Sequence, residues 1–183
     1  MKILFLIQIL SLITVSSIYS QDYYPLEVGN NWNFKIPGGD SYSTQVLEDF
    51  YNYHGRKYYQ VEVKYSWGTT EINYKRKDKD GNEVYLNTKT GTESINIPSK
   101  LVEDYSWFSK DKSWKYKIIE LNQILKTPVK TYENCLVIKA EQINYQDLNK
   151  FQVYYNYYVA GIGFVGSKDE YGLISYLSSY ELN

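Results

Sequence analysis

Cysteine and histidine are all but missing from this chain: its 183 residues include one of each, Cys135 and His54. With a single thiol no intramolecular disulfide can form. A multi-histidine zinc site, a thiolate cluster and a cysteine-to-cysteine redox pair are excluded by counting. Cys135 lies opposite the register of Leu136 and Ile138 and reads as a small buried hydrophobe. A serine nucleophile would have to work with His54 and the nearby Asp49, yet no G-x-S-x-G elbow exists, and His54 beside Gly55 reads as a solvated turn residue. Glycine-rich phosphate loops are missing too, since Gly38-Gly39 stands alone in a turn.

Charge of one sign is also lacking. The sequence holds 20 Lys and Arg against 21 Asp and Glu, for a formal net charge of −1, and the signs are mixed along the chain, which argues against nucleic acid as a partner. Lys75, Arg76, Lys77 and Lys79 come nearest to a basic cluster, but Asp78 and Asp80 interrupt it and it reads as a solvated hairpin end. The string Asp78-Lys79-Asp80-Gly81-Asn82-Glu83 fails as an EF-hand loop. Placing Gly81 sixth puts Arg76 where the first carboxylate belongs and Asn87 where the closing glutamate belongs. No pair of carboxylates stands out in an apolar setting that would raise one pKa for glycoside hydrolysis. No metal site, cofactor or catalytic residue is expected.

Long apolar runs number one. Ile3 to Val15 follows Lys2 and precedes Ser16, Ser17 and Ser20, the pattern of a secretory signal peptide cut between Ser20 and Gln21. The run is short for a bilayer span and no second run of about eighteen apolar residues follows, so no transmembrane segment is expected after the leader is removed. The expectation is a leader over 1–20 and a single β domain over 21–183, secreted to the periplasm or the medium. No cysteine near the leader is available for a lipid anchor.

What is abundant is tyrosine, 22 residues, against only four prolines. Threonine, valine and isoleucine are plentiful and no stretch has convincing helical spacing, which predicts an all-β protein. Tyr59, Val61, Val63, Tyr65 and Trp67 alternate with Tyr58, Gln60, Glu62, Lys64 and Ser66, the period of a half-buried strand. Thr69 to Lys77 follows across Gly68 with Ile72 and Tyr74 alternating against charged neighbours. Further hairpins turn at Asp80-Gly81 and near Gly91. Later strands are expected over 113–120, 124–130, 135–143, 151–159, 164–167 and 173–182, in a meander. In the fourth of these, Phe151, Val153, Tyr155, Tyr157 and Val159 share a face. The stretch 98–112 is left open between loop, helical turn and strand. Asn31-Trp32-Asn33-Phe34-Lys35-Ile36 echoes Ser113-Trp114-Lys115-Tyr116-Lys117-Ile118; chance and an internal duplication both explain it, and either way Trp32 and Trp114 read as core corners.

Three segments carry a resemblance. Asp22-Tyr23-Tyr24-Pro25-Leu26-Glu27-Val28-Gly29-Asn30-Asn31-Trp32-Asn33-Phe34, Tyr132-Glu133-Asn134-Cys135-Leu136-Val137-Ile138 and Tyr157-Tyr158-Val159-Ala160-Gly161-Ile162-Gly163-Phe164-Val165 are similar, in order and spacing, to stretches of uncharacterised secreted or lipid-anchored bacterial β-sheet proteins. The resemblance implies a single strongly curved antiparallel sheet forming an open or half-closed barrel, and hands over no functional residue. Gly161 and Gly163 suggest a bulge or bend, with a close-approach ligand site as the sharper reading.

The leading expectation is a non-enzymatic protein whose concave sheet face binds an apolar small molecule or an envelope partner. Candidate binding residues are Trp107 and Phe108 as a lid, Tyr155, Tyr157, Gly161 and Gly163. The alternative is a protein or polysaccharide interaction module, working by strand addition or through Tyr42, Tyr51, Tyr53, Tyr58, Tyr154 and Tyr158, which the registers turn to solvent. A carboxylate-based hydrolase is third.

Overall fold

The computed structural model describes residues 22–143 and 152–183, which form twelve β-strands and no helix. In chain order they are β1 (Asn31–Lys35), β2 (Ser41–Tyr53), β3 (Arg56–Tyr65), β4 (Thr70–Lys77), β5 (Glu83–Asn87), β6 (Thr92–Ile97), β7 (Ser106–Phe108), β8 (Trp114–Lys126), β9 (Thr131–Gln142), β10 (Val153–Val159), β11 (Gly163–Lys168) and β12 (Leu173–Glu181). One antiparallel sheet holds them in the order β6-β5-β4-β3-β2-β1-β12-β11-β10-β9-β8-β7. Every hydrogen-bonded pair is consecutive in the chain except β1 with β12. The sheet is therefore an up-and-down ring, sealed where the two ends of the chain meet and unsealed at mid-chain, between β6 and β7. The expected leader and Phe151, at the start of the fourth late strand, lie outside the described residues.

The turns fall where the glycines place them, at Gly68, Gly81 and Gly91. Turn chemistry accounts for the acidic string, because Asp78 Oδ1 accepts the backbone N–H groups of Asp80 at 2.9 Å and Asn82 at 2.8 Å. His54 lies exposed in the β2–β3 turn with φ 47°, and Cys135 is fully buried, its thiol pKa raised by that burial.

Three strand readings need correction. Trp67 is 55 % exposed rather than core, because β3 ends at Tyr65 and the chain turns back through Ser66 to Thr69. The runs 113–120 and 124–130 overlap a single 13-residue strand, β8, whose register against β9 shifts three times between Ile118 and Leu125. Those bulges break the alternation without breaking the strand. In β4 the inward face is the charged one: Tyr59 pairs with Lys75 and Val61 with Asn73. Lys75 therefore shares the core face of β3, while Ile72, Tyr74 and Arg76 share the outer face with Tyr58.

That outer face has a small core of its own, since Tyr58, Val84 and Leu86 are buried there. Arg76 closes over it with a bidentate contact to Glu93, Nε to Oε1 at 2.6 Å and Nη2 to Oε2 at 2.9 Å. Tyr58 donates to Glu93 Oε1 at 2.5 Å and Arg56 to Oε2 at 2.5 Å. The basic cluster is thus a set of ion pairs, completed by Lys77 to Asp22 at 2.6 Å, and only Lys79 keeps the solvated role.

In the other wing both sheet faces are buried. Cys135 and Val137 of β9 belong to one apolar cluster and Leu136 and Ile138 to a second; Tyr157 and Tyr158 of β10 divide in the same way. The far end of the β8–β9 hairpin supplies the outer cover. Leu125 lies against Gly166 so closely that a Cβ there would meet its Cδ2 at 2.9 Å and Ser175 O at 2.8 Å, and Tyr132 donates to Leu177 O at 3.4 Å. Trp32 is buried on β1 as a core corner; Trp114, half-buried, opens β8 and stacks on Tyr154 with centroids 6.0 Å apart.

Candidate functional site

Inside the ring lies a cavity of about 170 Å³ walled by the rings of Tyr24, Trp32, Phe34, Tyr42, Tyr158 and Phe164. These come from four places in the sheet. Strand alternation turns Trp32 and Phe34 of β1 inward. Tyr42 sits opposite Phe34 and stacks on it at 4.7 Å, and Phe164 reaches the same ring from β11 at 5.5 Å. Tyr158 meets Phe164 edge-on at 5.6 Å. Trp32 is fixed by its indole N–H, which donates to Ile162 O at 2.7 Å.

Tyr24 arrives by a different route. The segment ahead of β1 runs across the barrel end as a strap: the N–H of Gly161 donates to Asp22 O at 2.7 Å, and buried Asn30 donates from Nδ2 to Pro25 O at 3.0 Å. Gly163 is needed here for its backbone, since φ 101° is a conformation that side-chain-bearing residues rarely adopt, and Pro25 packs against it. Tyr23 faces one core cluster and Leu26 the other, which leaves Tyr24 over the cavity.

The polar lining is Lys75, Asn96 and Thr44. Lys75 Nζ donates to Glu83 Oε1 at 3.0 Å and stands 3.7 Å from the centre of the Tyr24 ring, a cation–π contact. Glu83, itself buried, also accepts Asn96 Nδ2 on both oxygens at 3.1 and 3.2 Å. Burial works against the Lys75 ammonium, but Glu83 beside it outweighs that effect and the pKa ends above the ordinary lysine value. Burial raises Tyr158 well above the ordinary phenol value and pushes Tyr42 up to about 12, against a lowering bond to Ser175. The cavity therefore holds a charged ammonium paired with a carboxylate, and neutral phenols. Among the described residues no carboxylate lines it, and no three His, Cys, Asp or Glu side chains come together as metal ligands.

Tyr158 is 6 % exposed, and its hydroxyl makes no hydrogen bond among the described residues. No fully enclosed side-chain oxygen or nitrogen lacks a partner there, so this oxygen is not fully enclosed, and the residue that carries it borders the cavity.

Of the six candidate binding residues, Trp107, Phe108, Tyr155, Tyr157, Gly161 and Gly163, only Gly163 lines this cavity. Gly161 sits in the β10–β11 turn, in contact with the strap. Tyr155 and Tyr157 are not in the cavity lining; they pack in the cluster that holds Val137 together with Trp32 and Phe34. Trp107 is no lid; buried at the unsealed edge, it donates from Nε1 to Ile95 O at 2.9 Å across the seam, while Phe108 points away and is 51 % exposed. Of the six tyrosines assigned to solvent, Tyr58 and Tyr158 are buried instead, because both faces of the sheet carry packed side chains, while Tyr42, Tyr51, Tyr53 and Tyr154 are half-buried. Sequence reasoning placed none of the other nine lining residues in a cavity, Lys75 and Asn96 among them. The signal for Lys75 was present in the β3–β4 hairpin, whose register sets Lys75 opposite Tyr59.

A second, larger recess of about 560 Å³ at the strap brings Tyr23, Glu133, Asn134, Val159 and Ala160 together with Leu101, Leu121 and Asn122; the first five lie in the three segments of the resemblance. Comparison of this chain with family models, curated proteins and solved structures returns no match.

Proposed function

We propose that this chain is an exported binding protein whose barrel interior holds one small, largely apolar molecule. The observation that carries this reading is a 170 Å³ cavity walled by six aromatic rings. A protein cavity of about 150 Å³ is large enough to admit benzene, whereas drug-sized ligands occupy pockets of about 300–1,000 Å³. Volume thus selects a ring-sized ligand over a fatty acid. Binding fits the polar groups better than hydrolysis does, because both oxygens of Glu83, the carboxylate beside Lys75, are engaged. Export rests on the leader sequence.

The test is titration of the purified protein with ethylbenzene, followed through methyl and aromatic NMR shifts. Saturable shifts at residues around Trp32 and Phe164 are expected, and their loss in Thr44→Phe, which fills the cavity. Absence of saturable shifts in the parent protein, or shifts unaffected by Thr44→Phe, overturns the reading. Native mass spectrometry of protein from its own host would then identify the natural occupant.

A further inference from the structure

Building on the binding reading just given, we infer that the cavity selects a neutral molecule with one aromatic ring and a hydrogen-bond acceptor such as a carbonyl, the acceptor taking the open Tyr158 hydroxyl. Three observations converge on this chemistry. First, the walls are aromatic on several sides, an arrangement that rewards a flat ring through offset and edge contacts more than a flexible aliphatic chain of equal area.

Second, the polar groups facing the cavity have donors to spare, beside the accepting oxygens of Thr44 and Asn96. Tyr158 offers its O–H with no partner among the described residues. An ammonium has three protons. Lys75 directs one to Glu83 Oε1 and stands over the Tyr24 ring, so further donor capacity remains on a group that borders the cavity. A donor left unmatched beside an apolar ligand costs binding, and a ligand acceptor there recovers it.

Third, charge decides between an acceptor that is ionised and one that is not. Lys75 and Glu83 cancel, and Asn96 holds the carboxylate in place. A ligand carboxylate would give up its water shell and find no net positive charge in return. A carbonyl or amide oxygen meets the same donors without that loss.

Three probes of similar ring size separate the possibilities: benzamide, benzoate and ethylbenzene, each titrated by calorimetry and NMR at neutral pH. Benzamide is expected to bind about five- to tenfold more tightly than ethylbenzene, the worth of one hydrogen bond, and benzoate more weakly than benzamide. Tyr158→Phe, which keeps the ring and removes the hydroxyl, should bring the benzamide and ethylbenzene affinities of the variant to within about twofold of each other. Benzoate binding more tightly than benzamide, or equal binding of benzamide and ethylbenzene to the parent protein, overturns the inference while the cavity reading survives. Binding by none of the three overturns both. The ranking in the parent protein decides the matter even if Tyr158→Phe fails to fold.

Discussion

The barrel has two junctions that a perfect ring would make equivalent, and they are built in opposite ways. Where the chain ends meet, β1 and β12 form a ladder from Asn31↔Glu181 to Lys35↔Tyr176. Side chains reinforce it, with Asn33 donating to Ser179 Oγ at 3.2 Å and Ser178 donating to Asn33 O at 2.9 Å. At mid-chain, β6 and β7 share no ladder among the described residues, and side chains bridge the gap: Trp107 Nε1 to Ile95 O, and the N–H of Lys110 to Ser94 Oγ at 2.9 Å. The junction that costs the most loop entropy is the sealed one. Residue chemistry explains the inversion. Pro98, which lacks an N–H, follows β6 directly, and β7 is three residues long, so there is little strand on either side to zip. Closure is set by what each edge offers, and sequence proximity does not compensate.

Breaking the sealed side should have the largest effect. Leu177 is fully buried on β12 opposite Phe34, and Leu177→Ala should lower the unfolding free energy by about 2–5 kcal/mol in a urea titration. A smaller change would mean that the ladder alone holds the junction. Trp107→Phe removes the indole N–H from the open side and should cost about 1–1.5 kcal/mol. Its clearer signature is hydrogen exchange: amides of β6 and β7 should exchange through smaller openings than those of β1 and β12 in the parent protein, and the variant should widen that gap. Uniform protection in both would erase the contrast.

Acid probes the outer fastening of the β6 edge. Burial pushes the Glu93 carboxyl up, but the bonds from Arg76 and Tyr58 outweigh it and hold the pKa below the ordinary 4.5. A pKa depressed by folding stabilises above the unfolded value and is lost as pH falls below it. Glu93→Gln should therefore lose less stability than the parent on going below pH 4.5, by under about 1 kcal/mol for a partly solvated pair. Identical pH dependence of the two proteins would contradict it. The smallest effect is expected at the chain end. Asn183 donates from Nδ2 to Val28 O at 2.7 Å at an exposed site, so Asn183→Ala should cost about 0.5 kcal/mol in the same titration.

Much of the architecture was legible because several strands have one apolar face and the hairpins joining β1 through β6 each carry a glycine. Val61 and Val63 mark the inward face of β3, and Gly68, Gly81 and Gly91 mark its neighbours' turns. Legibility failed where that rule is broken by register or by double burial. Bulges near Glu120 and Gln123 hid the continuity of β8. Tyr157 and Tyr158 are adjacent and both buried, so alternation could not say which of them faces a cavity. Lys75 reads as solvent-facing until its pairing with Tyr59 and its partner Glu83 are known, and that partner lies across a turn.

The sealed junction also has a consequence for the order of events on the ribosome. β1 emerges early, yet its partner lies about 146 residues further on, a delay of about ten to thirty seconds at ordinary translation rates. Throughout that interval one edge of β1 has no strand beside it, and Trp32 and Phe34 await their final surroundings. Asn31, Asn33 and Lys35 alternate with those two rings, and polar, charged positions of this kind discourage a nascent strand from pairing with the wrong neighbour.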